Sequence, residues 1–186
     1  METTAFRTRS AGPEDASILA AIRVASWRKG YAGIVPDAFL AALDVDVETA
    51  RWTEILRDAP TTGNHVEFVS DERDGVVGYA AVGPYRGAEV DPNRPVEDDP
   101  PRGELAALYL HPDTWGSGAA NPLIDRAEVL LAEQGYTEPV LWVFEANARA
   151  RRFYERHGWS FDGTASSIAF GEVHPVDLRY RKNLTS

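Results

Sequence analysis

The chain contains no cysteine among its 186 residues. Disulfide cross-links and thiolate metal sites are therefore excluded, and a cytoplasmic location is the default expectation. No apolar run approaches the roughly 20 residues needed to cross a bilayer. The opening stretch METTAFRTRSAGPED also lacks the apolar centre of a secretory signal, so no membrane partner is expected. Positive charge is scarce: 19 Lys and Arg stand against 29 Asp and Glu, a formal net charge of −10. Repulsion from phosphate polymers argues against general nucleic-acid binding. The same charge keeps a surface soluble and favours a cationic partner, such as an amine. His65, His111, His157 and His174 are scattered over different predicted elements without metal-ligand spacing, so no metal is expected.

What remains is an ordinary globular balance, 44% hydrophobic and 26% charged, in a chain of one-domain size spanning 1–186. AFRTRSA alternates as a short strand. GPEDASILAAIRVASWRKGY reads as a helix with Pro13 in its first turn and Ile18, Leu19, Ile22 and Ala25 as the buried stripe. PDAFLAAL and DVETARWTEILRDA follow as helices, the second with Asp46 as N-cap. HVEFVS and VVGYAAVGPY form a hairpin through DERDG, where Asp74-Gly75 suits a tight turn. The stretch at 88–103, rich in proline and acid, is a surface loop inserted in the domain and offers little to bury. Three of its acids, Glu97, Asp98 and Asp99, could draw in a cationic acceptor or could simply be solvated.

The second half interleaves strands and helices: ELAALYLH, then AANPLIDRAEVLLAEQG with Leu123, Ile124, Ala127, Leu130 and Leu131 on one face. PVLWVF follows as a strand buried on both sides, then NARARRFYERHG ending at Gly158, and WSFDG and VHPVDLRYRKN as closing strands. The fold class is α/β, a mixed sheet in one domain. Its exposed edge strands leave room for a homodimer.

The chemistry gathers at two places. Between ELAALYLH and the next helix the chain runs through Gly116 and Gly118, where a bulky anion can approach main-chain N–H groups at the positive end of a helix dipole. The alternative is an ordinary loop into a helix. The loop has no Lys-Ser/Thr ending for a P-loop and no third glycine for a dinucleotide fingerprint, which argues against a nucleotide protein. Further on, Asn147, Ala150 and Tyr154 are spaced i, i+3, i+7 on one helical face. Capping by Asn147 and packing by Tyr154 would explain that spacing equally well.

Together, LYLHPDTWGSGAANPLIDRAE and NARARRFYERHGW resemble the acyl-CoA-binding core of the GCN5-related N-acetyltransferase (GNAT) family. The second block matches at Asn147, Ala150, Phe153, Tyr154, Gly158 and Trp159, the first at Gly118 and Ala120. SWRKGYAGIVPDAFL and DLRYRKNL resemble the family's first-helix region and final strand. The resemblance implies an acyl-CoA N-acyltransferase fold, with a mostly antiparallel sheet flanked by helices. It also implies acetyl-CoA as cosubstrate and an amine acceptor, a small molecule or a peptide N-terminus, attacking directly through a tetrahedral intermediate.

Carried onto this chain, the resemblance assigns the diphosphate to the amides of Gly116, Ser117, Gly118, Ala119 and Ala120. Leu108, Tyr109 and Leu110 take the pantetheine arm, with the Leu110 N–H as oxyanion donor and Asn147 beside them. Strands carrying Leu110 and Val143 are expected to splay apart to admit the thioester. Tyr154 is the candidate general acid. Glu104, taken to share a face with Ala106, Leu108 and Leu110, is the candidate base, directly or through water, or else a solvated strand-end carboxylate. Trp27 and Tyr31, at i, i+4, wall the acceptor pocket or merely pack on each other. Two departures stand out: Trp115 replaces the family's usual Arg or Gln, and Pro122 in the first helical turn has no N–H to donate. A non-catalytic acyl-CoA-binding or sensing module is the alternative reading.

Overall fold

The computed structural model describes residues 6–71, 75–90, 92, 94–95 and 101–185. Seven strands form one sheet in the order β1-β2-β3-β4-β5-β7-β6. They are β1 (Phe6–Ser10), β2 (His65–Asp71), β3 (Gly75–Pro84), β4 (Gly103–Leu110), β5 (Val140–Phe144), β6 (Ser160–Ser167) and β7 (Val176–Arg181). Every neighbouring pair is antiparallel except β4 with β5. Asp71 pairs with Gly75 across the expected hairpin, whose Asp74 lies outside the described residues. Helices α1 (Ala16–Gly30), α2 (Asp37–Ala42) and α3 (Val45–Thr62) precede β2, α4 (Ala120–Glu133) joins β4 to β5, and α5 (Ala148–Arg156) joins β5 to β6. Among the described residues no helix is long and apolar enough to cross a membrane.

Two cores lie on opposite faces of the sheet. Leu19, Ile22, Trp52 and Leu56 of α1 and α3 pack on Phe68, Tyr79 and Ala81. The other face takes α4 and α5, and the five α4 residues expected from periodicity, Leu123, Ile124, Ala127, Leu130 and Leu131, are all buried there. At about 1.5–3 kcal/mol for each large aliphatic side chain removed from water, this stripe alone is enough to fix α4 on the sheet. β5 is buried on both sides as expected, except for half-buried Trp142.

The first helices depart from expectation in two details. Ile18 is 37% exposed and Ala25 only half-buried. At 100° per residue the buried arc of α1 centres on Ala16, Leu19, Ala20 and Ser26, which puts those two on the far side. The N-cap of α3 is Asp44 rather than Asp46. Asp44 is extended (φ −117°, ψ 128°), and its carboxylate accepts from the N–H groups of Asp46 and Val47. Asp46 sits instead inside the first turn, where its charge complements the dipole.

The larger correction concerns β4. Its register against β3 runs Ala81↔Ala107 and then Val82↔Leu105, with Ala106 as an extra residue. Such a bulge reverses the alternation of side chains. Leu105, Leu108 and Leu110 therefore face α4 and α5, while Ala106, Ala107 and Tyr109 face α1 and α3. Glu104 falls on the Tyr109 side, not on the face of Leu108 and Leu110, and lines the same cleft as Ala107 and Tyr109.

Candidate functional site

β4 and β5 share a single registered pair, Glu104↔Val140, at their starts. Beyond it the strands separate, and a cleft of about 100 Å³ opens between them, lined by Leu108, Leu110, Val143, Asn147 and Tyr154. The His111 N–H donates to the Val77 carbonyl at 2.8 Å. By the alternation of an antiparallel pair, Tyr109 and His111 then turn their main-chain groups toward β3, and Leu108 and Leu110 turn theirs into the gap. The Leu110 carbonyl is already engaged there, accepting from the Ser26 hydroxyl and, at 3.0 Å, from the Trp115 indole N–H. Its N–H is left facing the opening.

After β4 the chain turns through Gly116 (φ 84°) and Gly118 (φ 93°), a region L-residues avoid. A side chain at Gly116 would meet nothing within 4 Å. Bare main chain is therefore exposed directly after Trp115, which lines the cleft. Two of the five amides expected to be free are used internally: Ser117 N–H donates to the Thr114 carbonyl (3.2 Å) and Ala119 N–H to the Ser117 hydroxyl (3.3 Å). The N–H groups of Gly116, Gly118 and Ala120 have no partner among the described residues. They lie at the start of a 14-residue helix that has no side-chain cap, where the dipole favours an anion. Pro122 sits within the first turn of that helix without breaking it.

Sequence reasoning missed Arg149. Its guanidinium lies 3.4 Å over the Trp115 ring and lines the cleft. Burial lowers its pKa from the ordinary value, but an arginine keeps its charge. A cation from the start of α5 thus stands beside Trp115. Only tertiary packing brings these two residues together, so no local signal could have found the pair.

Asn147 does cap α5: its Oδ1 accepts from Ala150 N–H at 3.2 Å. Tyr154, two turns along, is buried and reaches the cleft. Burial, with Tyr109 nearby, pushes its phenol far above the ordinary range. A phenol near 10 would already give up its proton to a thiolate near 8.5 slightly uphill, and this environment widens the gap. The same dry surroundings also raise a thiol, which narrows it again.

On the other side of the splay lies a larger cleft of about 410 Å³, lined by Trp27, Tyr31, Arg94, Glu104, Tyr109 and Trp142 among others. Tyr31, Ala106, Ala107, Tyr109 and Trp142 line both clefts, so the two meet there. Trp27 and Tyr31 pack edge-on at 4.9 Å and also line this cleft. Tyr31 continues the aromatic wall to Phe144 at 5.0 Å, and its hydroxyl lies 3.4 Å from that of Tyr109. Glu104 is buried, not solvated: Arg86 donates to it from Nε (3.1 Å), Nη2 (2.9 Å) and its main-chain N–H (3.1 Å).

The segment at 88–103 also buries more than its composition suggests. Arg94 is 5% exposed, ion-paired with Asp177 of β7 and stacked 4.2 Å over the Trp142 ring. Glu97, Asp98 and Asp99 lie outside the described residues.

Tyr31, Tyr79 and Tyr154 all have raised pKa values, chiefly through burial. The unfolded chain ionises these phenols near pH 10 and the folded chain does not. Their contribution to stability is therefore complete below about pH 10 and falls away above it. A melting series is expected to show Tm holding to about pH 9.5 and then declining. Tyr79→Phe should lessen that decline by removing one of the titrating phenols, a buried hydroxyl with no hydrogen-bond partner among the described residues. An unchanged alkaline slope in the variant would refute this.

Residues 24–159 match the model of the acetyltransferase (GNAT) family. The uncharacterized N-acetyltransferase YuaI of Bacillus subtilis is 30% identical over 139 residues, covering 75% of this chain and 72% of that protein. The uncharacterized N-acetyltransferase Mb2688 of Mycobacterium bovis is 31% identical over 145 residues, 77% of this chain and 81% of the relative. Among solved structures, the PaiA N-acetyltransferase of Thermoplasma acidophilum in complex with coenzyme A superposes with a TM-score of 0.69. It is 18% identical, over 96% of this chain and 99% of that one.

Proposed function

The chain belongs to the acetyltransferase (GNAT) family, and from that premise we propose that it moves an acetyl group from acetyl-CoA to the nitrogen of an amine. The observation that carries the reading is the splay of β4 from β5, with a phenol at its far wall, followed by a turn whose Gly116, Gly118 and Ala120 amides have no partner among the described residues. These residues fit the coenzyme. The N–H groups of Gly116, Gly118 and Ala120, with Arg149 beside them, hold the diphosphate. The main chain of Leu108 holds the pantetheine arm as an added strand would, and Leu110, whose carbonyl is already engaged, keeps its N–H for the thioester oxygen.

Acetyl-CoA when bound supplies an activated carbonyl: the amine nitrogen bonds to its carbon, the carbon–sulfur bond breaks, the amine gives up one proton and CoA leaves as the thiol. The Leu110 N–H steadies the developing oxyanion, as a main-chain donor fixed before reaction does. Tyr154 delivers the proton to sulfur. Glu104 accepts the amine proton through a water, because Arg86 occupies both of its oxygens.

Thiol release that depends on an added amine tests the activity. CoA binding without transfer would favour the non-catalytic module instead. Glu104→Gln is expected to lower kcat/KM about 10²-fold with CoA affinity unchanged by calorimetry. A rate equal to that of the native protein would remove the carboxylate from the mechanism.

A further inference from the structure

Where the two clefts meet, polar side-chain atoms are few. Among the described residues, Tyr31, Ala106, Ala107, Tyr109 and Trp142 line both. An amine in the larger cleft must reach this junction to attack a thioester held between β4 and β5. The alanines bring no polar side-chain atom, and the Trp142 indole N–H is buried. The Tyr31 and Tyr109 hydroxyls are therefore the polar side-chain groups that the junction offers to a nitrogen. Both residues are half-buried.

Their geometry leaves room for a third partner. The two oxygens lie 3.4 Å apart, beyond the roughly 2.5–3.0 Å of an ordinary O–H···O bond. Each hydroxyl has one hydrogen and two lone pairs, so their weak mutual contact leaves lone pairs over on both oxygens. One nitrogen can stand at ordinary hydrogen-bond length, about 2.9 Å, from two oxygens at this spacing. Both rings are held. Tyr31 packs edge-on against Trp27 (4.9 Å) and Phe144 (5.0 Å), and Tyr109 against Tyr79 (5.8 Å). Burial, with Tyr109 beside it, raises the Tyr31 pKa, so that hydroxyl is uncharged at neutral pH.

Resting on the acetyltransferase reading, we propose that the Tyr31–Tyr109 hydroxyl pair receives the acceptor nitrogen and selects a primary amine. The free base donates one N–H to each oxygen, which leaves its lone pair for the thioester carbon. A secondary amine has a single N–H and satisfies only one of the two. Tyr109, whose main chain pairs with β3, thus serves through its side chain. Its part is separate from that of Tyr154, which lines the smaller cleft alone and serves the sulfur.

The test pairs primary amines (benzylamine, butylamine and alaninamide) with their N-methyl analogues. Each is assayed for thiol release with acetyl-CoA, while calorimetry follows CoA binding and a melt confirms the fold of every variant. The native protein is expected to favour the primary amine at least tenfold in kcat/KM. Tyr31→Phe and Tyr109→Phe keep the rings and should each lower kcat/KM for the primary amine about 3- to 10-fold, with CoA affinity unchanged. Both should also reduce the preference over the N-methyl analogue at least threefold, whereas Tyr154→Phe slows both amines alike and keeps it. A native preference retained in both hydroxyl variants overturns the inference, even where their rates fall, because the rings then only shape the cleft. So does a native protein that takes the N-methyl amines equally well. Either result leaves the acetyltransferase reading standing. CoA binding with no transfer to any of these amines removes both.

Discussion

Tyr154→Phe is expected to lower kcat about 10²- to 10³-fold, the usual contribution of a placed general acid, with CoA affinity unchanged by calorimetry. The ring packs in the core beside Ala150 and Trp159, so phenylalanine keeps the fold and removes only the proton. The pH profile sharpens the test. Burial holds the Tyr154 phenol well above its ordinary range, so its acidic form persists to higher pH, not lower. The native rate should rise as the amine loses its proton and show no fall that depends on Tyr154 up to about pH 10. A variant with full turnover would remove the phenol from the mechanism.

Gly118→Val is expected to weaken CoA binding about 10- to 100-fold while moving Tm little. At φ 93° a β-branched residue is strained by about 1–3 kcal/mol, and a tenfold change in affinity corresponds to about 1.4 kcal/mol. A Cβ there meets only the Asn121 amide, at 3.9 Å, so no core contact is lost. The loop relaxes in the free protein and no longer presents its N–H groups together. Calorimetry alongside a melt separates the two effects. Native affinity in a folded variant would show that the glycine turn does not hold the diphosphate.

Much of this molecule is legible without coordinates where the determinant is local. The α4 stripe follows from a 3.6-residue period, and all five of its expected residues are buried. The glycine turn and the cap at Asn147 are written in a few consecutive residues, because the chain conformation there depends on the side chains beside it. A linear pattern fails where a neighbour decides. Simple alternation puts Glu104 on the face of Leu108 and Leu110, but Ala106 bulges, which only the pairing with β3 reveals. Asp46 gave way to Asp44 because both can cap and only the entry angle of the chain chooses between them. Composition read 88–103 as surface, yet Arg94 is buried against β5 and β7.

The sequence by itself therefore determined the elements, the bare turn and the phenol's place on α5. These depend on periodicity and on short-range sterics that any few residues carry with them. Tertiary structure alone decided which face Glu104 occupies, that Arg149 covers Trp115, and that Arg23, Arg51, Arg86 and Arg94 line one cleft. Those facts are juxtapositions of residues distant in the chain, set by sheet register and packing, and a linear pattern holds no record of what lies across the sheet.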